Sequence, residues 1–294
     1  MAESVQAERA ARRRVVVTGA GGMLGRAVVA ELGARHEVVP LLRRDCDLVD
    51  PARTAAWIAA RAPEVIVHCA AWTDVDGCET DPERAWRQNA FATLNVALAA
   101  QNCDARLCYI STDYVFDGRK DGPYREDDAT GPLNVYGRSK RSGEEHVLRH
   151  VPRNWIVRSS WLFGPGGRNF VRTIAALLDR QEVVRVVDDQ LGSPTYTVDL
   201  AVALRALVES ELYGIYHVTN SGTCSWYEFA AAIATALRSR SRVEPCRSAD
   251  FPRPAARPRN SVLDNAHYRS SGLPAPRDWR AALRAYLTEL EAER

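Results

Sequence analysis

The feature that most constrains the fold is an alternation. Short β-branched runs, "RVVVTG" (14–19), "HEVVPLL" (36–42), "EVIVHCA" (64–70), "RLCYIS" (106–111) and "WIVRSSW" (155–161), are separated by longer Ala-rich, helix-favouring stretches such as 24–32 and 90–100. Strand and helix in this rhythm predict βαβ units and a parallel sheet covered on both faces. A doubly wound α/β fold of the Rossmann type follows, with ligand bound outside the carboxyl ends of the strands. Residues 1–14 read as a disordered tail and 15–161 as a dinucleotide-binding domain, with a returning segment near 185–219. The rhythm loosens in 162–184 and 220–294, which read as a smaller substrate-binding domain. The stretch 245–260, rich in proline, reads as an irregular arm.

Gly19, Gly22 and Gly25 stand in a GxxGxxG spacing in "VVVTGAGGMLGRAV", between the first strand and its helix. There a tight turn, a close backbone approach to a pyrophosphate and a close helix–strand contact each ask for glycine, and the helix N-terminus favours an anion. Met23 and Leu24 complete that turn. Arg43 and Arg44 follow the second strand, where an arginine can accept the 2′-phosphate of NADP; the alternative is a solvated basic turn. NADPH is therefore the expected cofactor, with NADH as the alternative donor.

Only two lysines occur in the chain, Lys120 and Lys140, against a background of arginine. Lys140 follows Tyr136 by four residues in "PLNVYGRSK", so on a helix the two share a face. A nearby ammonium lowers the pKa of a phenol and makes it a usable proton-transfer group. "YISTDYVFDG" puts Thr112 at the carboxyl edge of a strand, in hydrogen-bonding range of a reacting oxygen.

Together the motifs "TGAGGMLG", "LVDP", "HCAAWTDVDGCE", "YISTDYVFDG", "PLNVYGRSKRSGE", "VRSSWLFG", "VDDQLGSPTYTVDLA" and "RPRNSVLD" resemble the extended short-chain dehydrogenase/reductases, most closely the dTDP-4-dehydrorhamnose reductase family, from about residue 14 to residue 290. The resemblance implies that Tyr136 is the proton donor, that Lys140 binds the nicotinamide ribose and tunes the tyrosine, and that Thr112 completes the triad. It implies that Ala70, Ala71 and Trp72 line the cofactor site, that Asp47 and Leu48 flank the adenine, and that Asp113, Tyr114 and Trp161 contact the sugar. Arg257 and Arg259 are candidates for the substrate diphosphate. The implied reaction is NADPH-dependent reduction of the C4 keto group of a dTDP-4-keto-6-deoxyhexose, dTDP-4-dehydrorhamnose above all. The alternatives are a related reductase of an antibiotic deoxysugar pathway and a non-catalytic regulator of the methionine adenosyltransferase type. One acidic residue, Asp113, follows Thr112 where related dehydratases carry a pair, which disfavours dehydration. Asp74 and Gly77 stand where the family usually has Ala and Lys.

A net charge of +2 gives no field strong enough to predict a nucleic-acid or membrane partner. The seven scattered cysteines form no CxxC pair, and the histidines show no metal-ligand spacing. Ala27 replaces the glutamate through which some relatives bridge a dimer by metal. We expect a cytoplasmic enzyme without a bound metal, with a homodimer as a further expectation.

Overall fold

The computed structural model describes residues 12–292; residues 1–11, the bulk of the expected tail, lie outside them. The first strand begins at Arg14, so residues 12–14 are not tail: Arg14 pairs with Glu37 of the neighbouring strand, and the Arg13 carbonyl accepts the Glu37 N–H.

The elements run in order as β1 (Arg14–Thr18), α1 (Met23–Gly33), β2 (Glu37–Leu41), α2 (Pro51–Ala59), β3 (Val65–His68), α3 (Val75–Thr80), α4 (Pro82–Ala85), a π-helical turn (Trp86–Phe91), α5 (Ala92–Asn102), β4 (Arg106–Thr112), α6 (Val135–His150) and β5 (Asn154–Ser159). There follow β6 (Leu162–Phe163), α7 (Phe170–Leu178), β7 (Val183–Val187), β8 (Leu191–Gly192), β9 (Thr195–Tyr196), α8 (Thr197–Glu209), β10 (Gly214–His217), β11 (Cys224–Ser225), α9 (Trp226–Ala236), β12 (Arg242–Cys246), α10 (Ala266–Ser270) and α11 (Trp279–Ala292).

Six strands form one parallel sheet in the order β2-β1-β3-β4-β5-β10. Because β1 has β2 on one side and β3 on the other, the winding reverses there and opens a crevice at the carboxyl ends. The strand residues are buried on both faces, as continuous apolar runs in a parallel sheet require. Val15 and Val17 pack with α1 and α8 (Val28, Leu204), whereas Val16 packs on the other face with Ile58, Val96 and Val147. A second core, around Phe163, Phe229, Trp279 and Tyr286, belongs to the elements after β5.

The returning segment is shorter than its sequence suggested. Strand β7 pairs in parallel with β12, outside the main sheet, and only α8 and β10 rejoin it. The β-branched run in β7 signals a strand but carries no information on which sheet receives it.

Candidate active site

The glycine turn is built by contact. Gly19 has φ +63, and a Cβ on it would stand 2.7 Å from the Ala70 Cα; a Cβ on Gly25 would collide with the Gly19 carbonyl oxygen. The turn therefore lies against the end of β3 and beneath the first turn of α1, leaving the α1 N-terminus clear for an anion.

Helix α6 is capped by Asn134, whose side chain accepts the Gly137 N–H at 2.8 Å. A Cβ on Gly137 would collide with the Tyr114 carbonyl oxygen, so glycine inside the YxxxK segment is what lets the helix approach the end of β4 this closely. That approach brings Tyr136 and Lys140 to Thr112.

All three are buried, and with Asp113, Tyr114 and Trp161 they line one hollow of about 460 Å³. Met23, Leu24 and Gly25 form part of its wall. An adjoining hollow of about 270 Å³ takes in Arg43, Asp47 and Leu48 on one side and Ala70 and Trp72 on the other. Gly19, Gly22 and Ala71 line both. The shape fits a dinucleotide: an open glycine cradle at the middle, a basic residue beyond the second strand, and the Tyr–Lys pair at the far end.

Lys140 donates to the Ile110 carbonyl at 2.7 Å, with its ammonium 4.1 Å from the centre of the Tyr109 ring. Burial lowers its pKa to about 7, against the opposing charge of Glu144. Glu144 is itself fully buried and held by both Arg158 (2.9 Å) and Ser111 (2.6 Å). Asp113 is raised by burial to about 7 despite hydrogen bonds from Ser261 and Thr112, and its Oδ2 has no hydrogen-bond partner among the described residues.

The tyrosine departs from expectation. Burial, then the neighbouring Asp113 charge, raises Tyr136 well above the ordinary phenol value, while a hydrogen bond with Thr112 pulls the other way. The lysine does not produce the lowered phenol anticipated from the spacing, because desolvation of the phenolate outweighs it. The shift keeps the Tyr136 hydroxyl protonated at neutral pH.

Three of the candidate arginines are held by carboxylates, and Arg257 also reaches Tyr114, which lines the larger hollow. Arg44 is exposed and faces Asp45 at 3.8 Å, outside both hollows. Arg259 pairs with exposed Asp121 at 2.7 Å. Arg257 binds Asp76 at 2.6 Å, alongside Arg253. Burial would raise Asp76; the two guanidiniums and the Ala255 N–H overcome it and hold the carboxyl at about 2. Neither Arg257 nor Arg259 lines a hollow. Their sequence gave no sign of carboxylates more than a hundred residues away.

Trp161 does reach the cavity, in the left-handed region at φ +47, a strained conformation for a bulky residue. Its ring stacks on Trp226 at 3.5 Å. Trp226 lines the same hollow and was missed; the only nearby signal was the capping box of Ser225 and Glu228, which marks a helix start and not a ligand. Arg84 and Arg168 were missed as well. Among the described residues no group of three or more His, Cys, Asp or Glu could hold a metal ion, and no helix is long and apolar enough to cross a membrane.

The RmlD substrate binding domain family matches residues 13–292. The chain belongs to this family. It is 44% identical over 280 residues to the dTDP-4-dehydrorhamnose reductase of Streptomyces griseus, covering 92% of each protein. It is 41% identical over 277 residues to the spore coat polysaccharide biosynthesis protein SpsK of Bacillus subtilis, covering 94% of this chain and 97% of that one. Among solved structures, the dTDP-4-dehydrorhamnose reductase of Bacillus anthracis in complex with NADP superposes with a TM-score of 0.92 at 38% identity, over 95% of this chain and all of that one. Membership of this family and the six-stranded parallel sheet agree with the Rossmann-type reductase fold expected from the alternation.

Proposed function

We infer that this protein is an NADPH-dependent oxidoreductase that reduces the C4 keto group of a dTDP-4-keto-6-deoxyhexose, dTDP-4-dehydrorhamnose to dTDP-rhamnose. The observation that carries this reading is the convergence of Thr112, Tyr136 and Lys140 in one hollow continuous with the glycine turn. The relatives named reductases, and the NADP complex among them, support the reaction class and the cofactor.

In this reading the turn around Gly22 receives the pyrophosphate, Arg43 the 2′-phosphate, and Asp47, Leu48 and Ala70 the adenosine. The dinucleotide supplies the hydride. Tyr136, kept protonated by burial and by Asp113, donates its hydroxyl proton to the C4 oxygen, and Thr112 orients that oxygen. Lys140, in the same hollow, would offer its ammonium to the nicotinamide ribose and to the phenolate left by proton transfer. Asp113, Tyr114 and the Trp161–Trp226 pair form the sugar wall and exclude water. Residues through 161, with the returning 197–217, supply most of the cofactor site, and both parts of the chain contribute to the wall for the nucleotide sugar. The seven free cysteines support a cytoplasmic setting.

An intact proton-donor constellation argues against a purely regulatory protein, which has no use for one. The isolated protein is therefore expected to oxidise NADPH on addition of dTDP-4-dehydrorhamnose and not without it. Absence of turnover with folded protein and no partner present refutes the reading.

A further inference from the structure

Of the arginines that line the two hollows, none is neutralised from within. Arg43, Arg84 and Arg168 line them, and none of the three is ion-paired with a carboxylate among the described residues. The arginines nearby that do have carboxylate partners, Arg44, Arg253, Arg257 and Arg259, lie outside the hollows. Asp47, the carboxylate of the smaller hollow, instead accepts the Val49 N–H. An uncompensated guanidinium facing a cleft beside a helix N-terminus leaves a positive potential that an anion relieves.

Arg84 is oriented by its ring neighbour, and Arg168 is positioned by the packing of its loop. Arg84 lies with its guanidinium 4.2 Å from the centre of the Trp72 ring. Stacking of this kind fixes the plane while leaving the N–H edge free to donate. Trp72 is fixed in turn by Asn89, fully buried in the π-helical turn, which accepts the Trp72 N–H at 2.7 Å and donates to its carbonyl at 3.1 Å. A Cβ on Gly77 would stand 2.7 Å from the Trp72 Cζ2, so Gly77 leaves space for the indole, and Asp74 caps the helix there by accepting the Gly77 N–H. The two departures from the family pattern at 74 and 77 thus seat the ring that carries Arg84. On the other side Arg168 belongs to a loop packed on the first residue of α1: a Cβ on Gly167 would be 3.2 Å from the Met23 Cβ, and the Asn169 amide lies 3.7 Å from the Met23 Sδ.

We propose that Arg84 and Arg168 are the cations that hold the pyrophosphate of the dinucleotide, one from each side of the glycine turn. The proposal rests on the functional reading above. Gly22 is common to both hollows, so each arginine shares a wall with the α1 N-terminus, whereas Arg43 follows β2, where a 2′-phosphate is read. Because the pyrophosphate is present in NADPH and NADH alike, these two residues contribute affinity and Arg43 contributes discrimination.

Isothermal titration calorimetry of the full chain with NADPH, NADH and dTDP tests this on Arg84→Gln and Arg168→Gln, both at exposed positions. Each substitution is expected to weaken NADPH and NADH by the same factor, about tenfold, as for loss of one charge-assisted hydrogen bond. Unchanged affinity for both dinucleotides overturns the proposal. So does a loss confined to NADPH, which would move the charge to the 2′-phosphate, or a loss confined to dTDP, which would move it to the substrate. A wild-type protein that binds neither dinucleotide refutes the functional reading, and the proposal with it; wild-type binding with unaffected variants refutes the proposal alone.

Discussion

Two groups of arginines in this molecule look alike in sequence and differ in consequence. Arg43, Arg84 and Arg168 border the hollows without a carboxylate partner among the described residues, while Arg253, Arg257 and Arg259, in the proline-rich arm, are met by Asp76 and Asp121. The first group has charge to offer a phosphate. In the second, one carboxylate held at about 2 already binds two guanidiniums, which staples the arm to α3. Whether an arginine's charge is answered within the fold is decided by tertiary neighbours rather than by the local motif.

The largest effect is expected at the chemistry beside the first group. Tyr136→Phe removes the proton donor and is expected to cut kcat by about a thousandfold with little change in cofactor affinity, since general acid catalysis contributes about 10²–10⁴-fold; single-turnover rates beside NADPH titrations check it. Wild-type turnover from folded Y136F ends the account of Tyr136.

Lys140→Arg comes next. A guanidinium cannot reproduce the single Nζ contact to Ile110 in a fully enclosed space, and we expect about a hundredfold loss, the scale of a small misplacement of catalytic groups. The pH profile separates charge from shape. With its pKa lowered to about 7 by burial, Lys140 is an ammonium below that pH and loses its proton above it, so kcat/KM for NADPH, which reports the free enzyme, falls as pH rises through about 7. The arginine variant lacks this limb. A profile flat to pH 9 in the wild type contradicts the assignment.

The smallest effects compare the arginines directly. Arg43→Ala should weaken NADPH about tenfold and leave NADH unchanged. Arg259→Ala, which removes an exposed ion pair, should leave both dinucleotides and the KM for dTDP-sugar within twofold, since such pairs contribute about 0–1 kcal/mol. A large KM effect of R259A would restore the diphosphate role that its place in the motif suggested.

Much of this was legible beforehand. The period of the β-branched runs specifies a parallel sheet, and the glycine spacing with Thr112, Tyr136 and Lys140 specifies the site, because each is a local pattern whose geometry a single strand or helix carries. What escaped was relational. The membership of β7 in a separate pairing with β12, the capture of Arg257 by a residue at 76 and the stacking of Trp226 on Trp161 each join segments far apart in sequence. The direction of the Tyr136 shift escaped for a related reason: the spacing displays the lysine but hides the burial and the Asp113 charge that outweigh it.

The most direct test of the central claim is the fate of the hydride. With NADPH carrying two deuterons at C4 of the nicotinamide and dTDP-4-dehydrorhamnose as substrate, the account predicts deuterium at C4 of the dTDP-sugar product by NMR, one per NADPH oxidised. Oxidation of NADPH that leaves C4 of the sugar as a ketone, or deuterium delivered to another carbon, contradicts it.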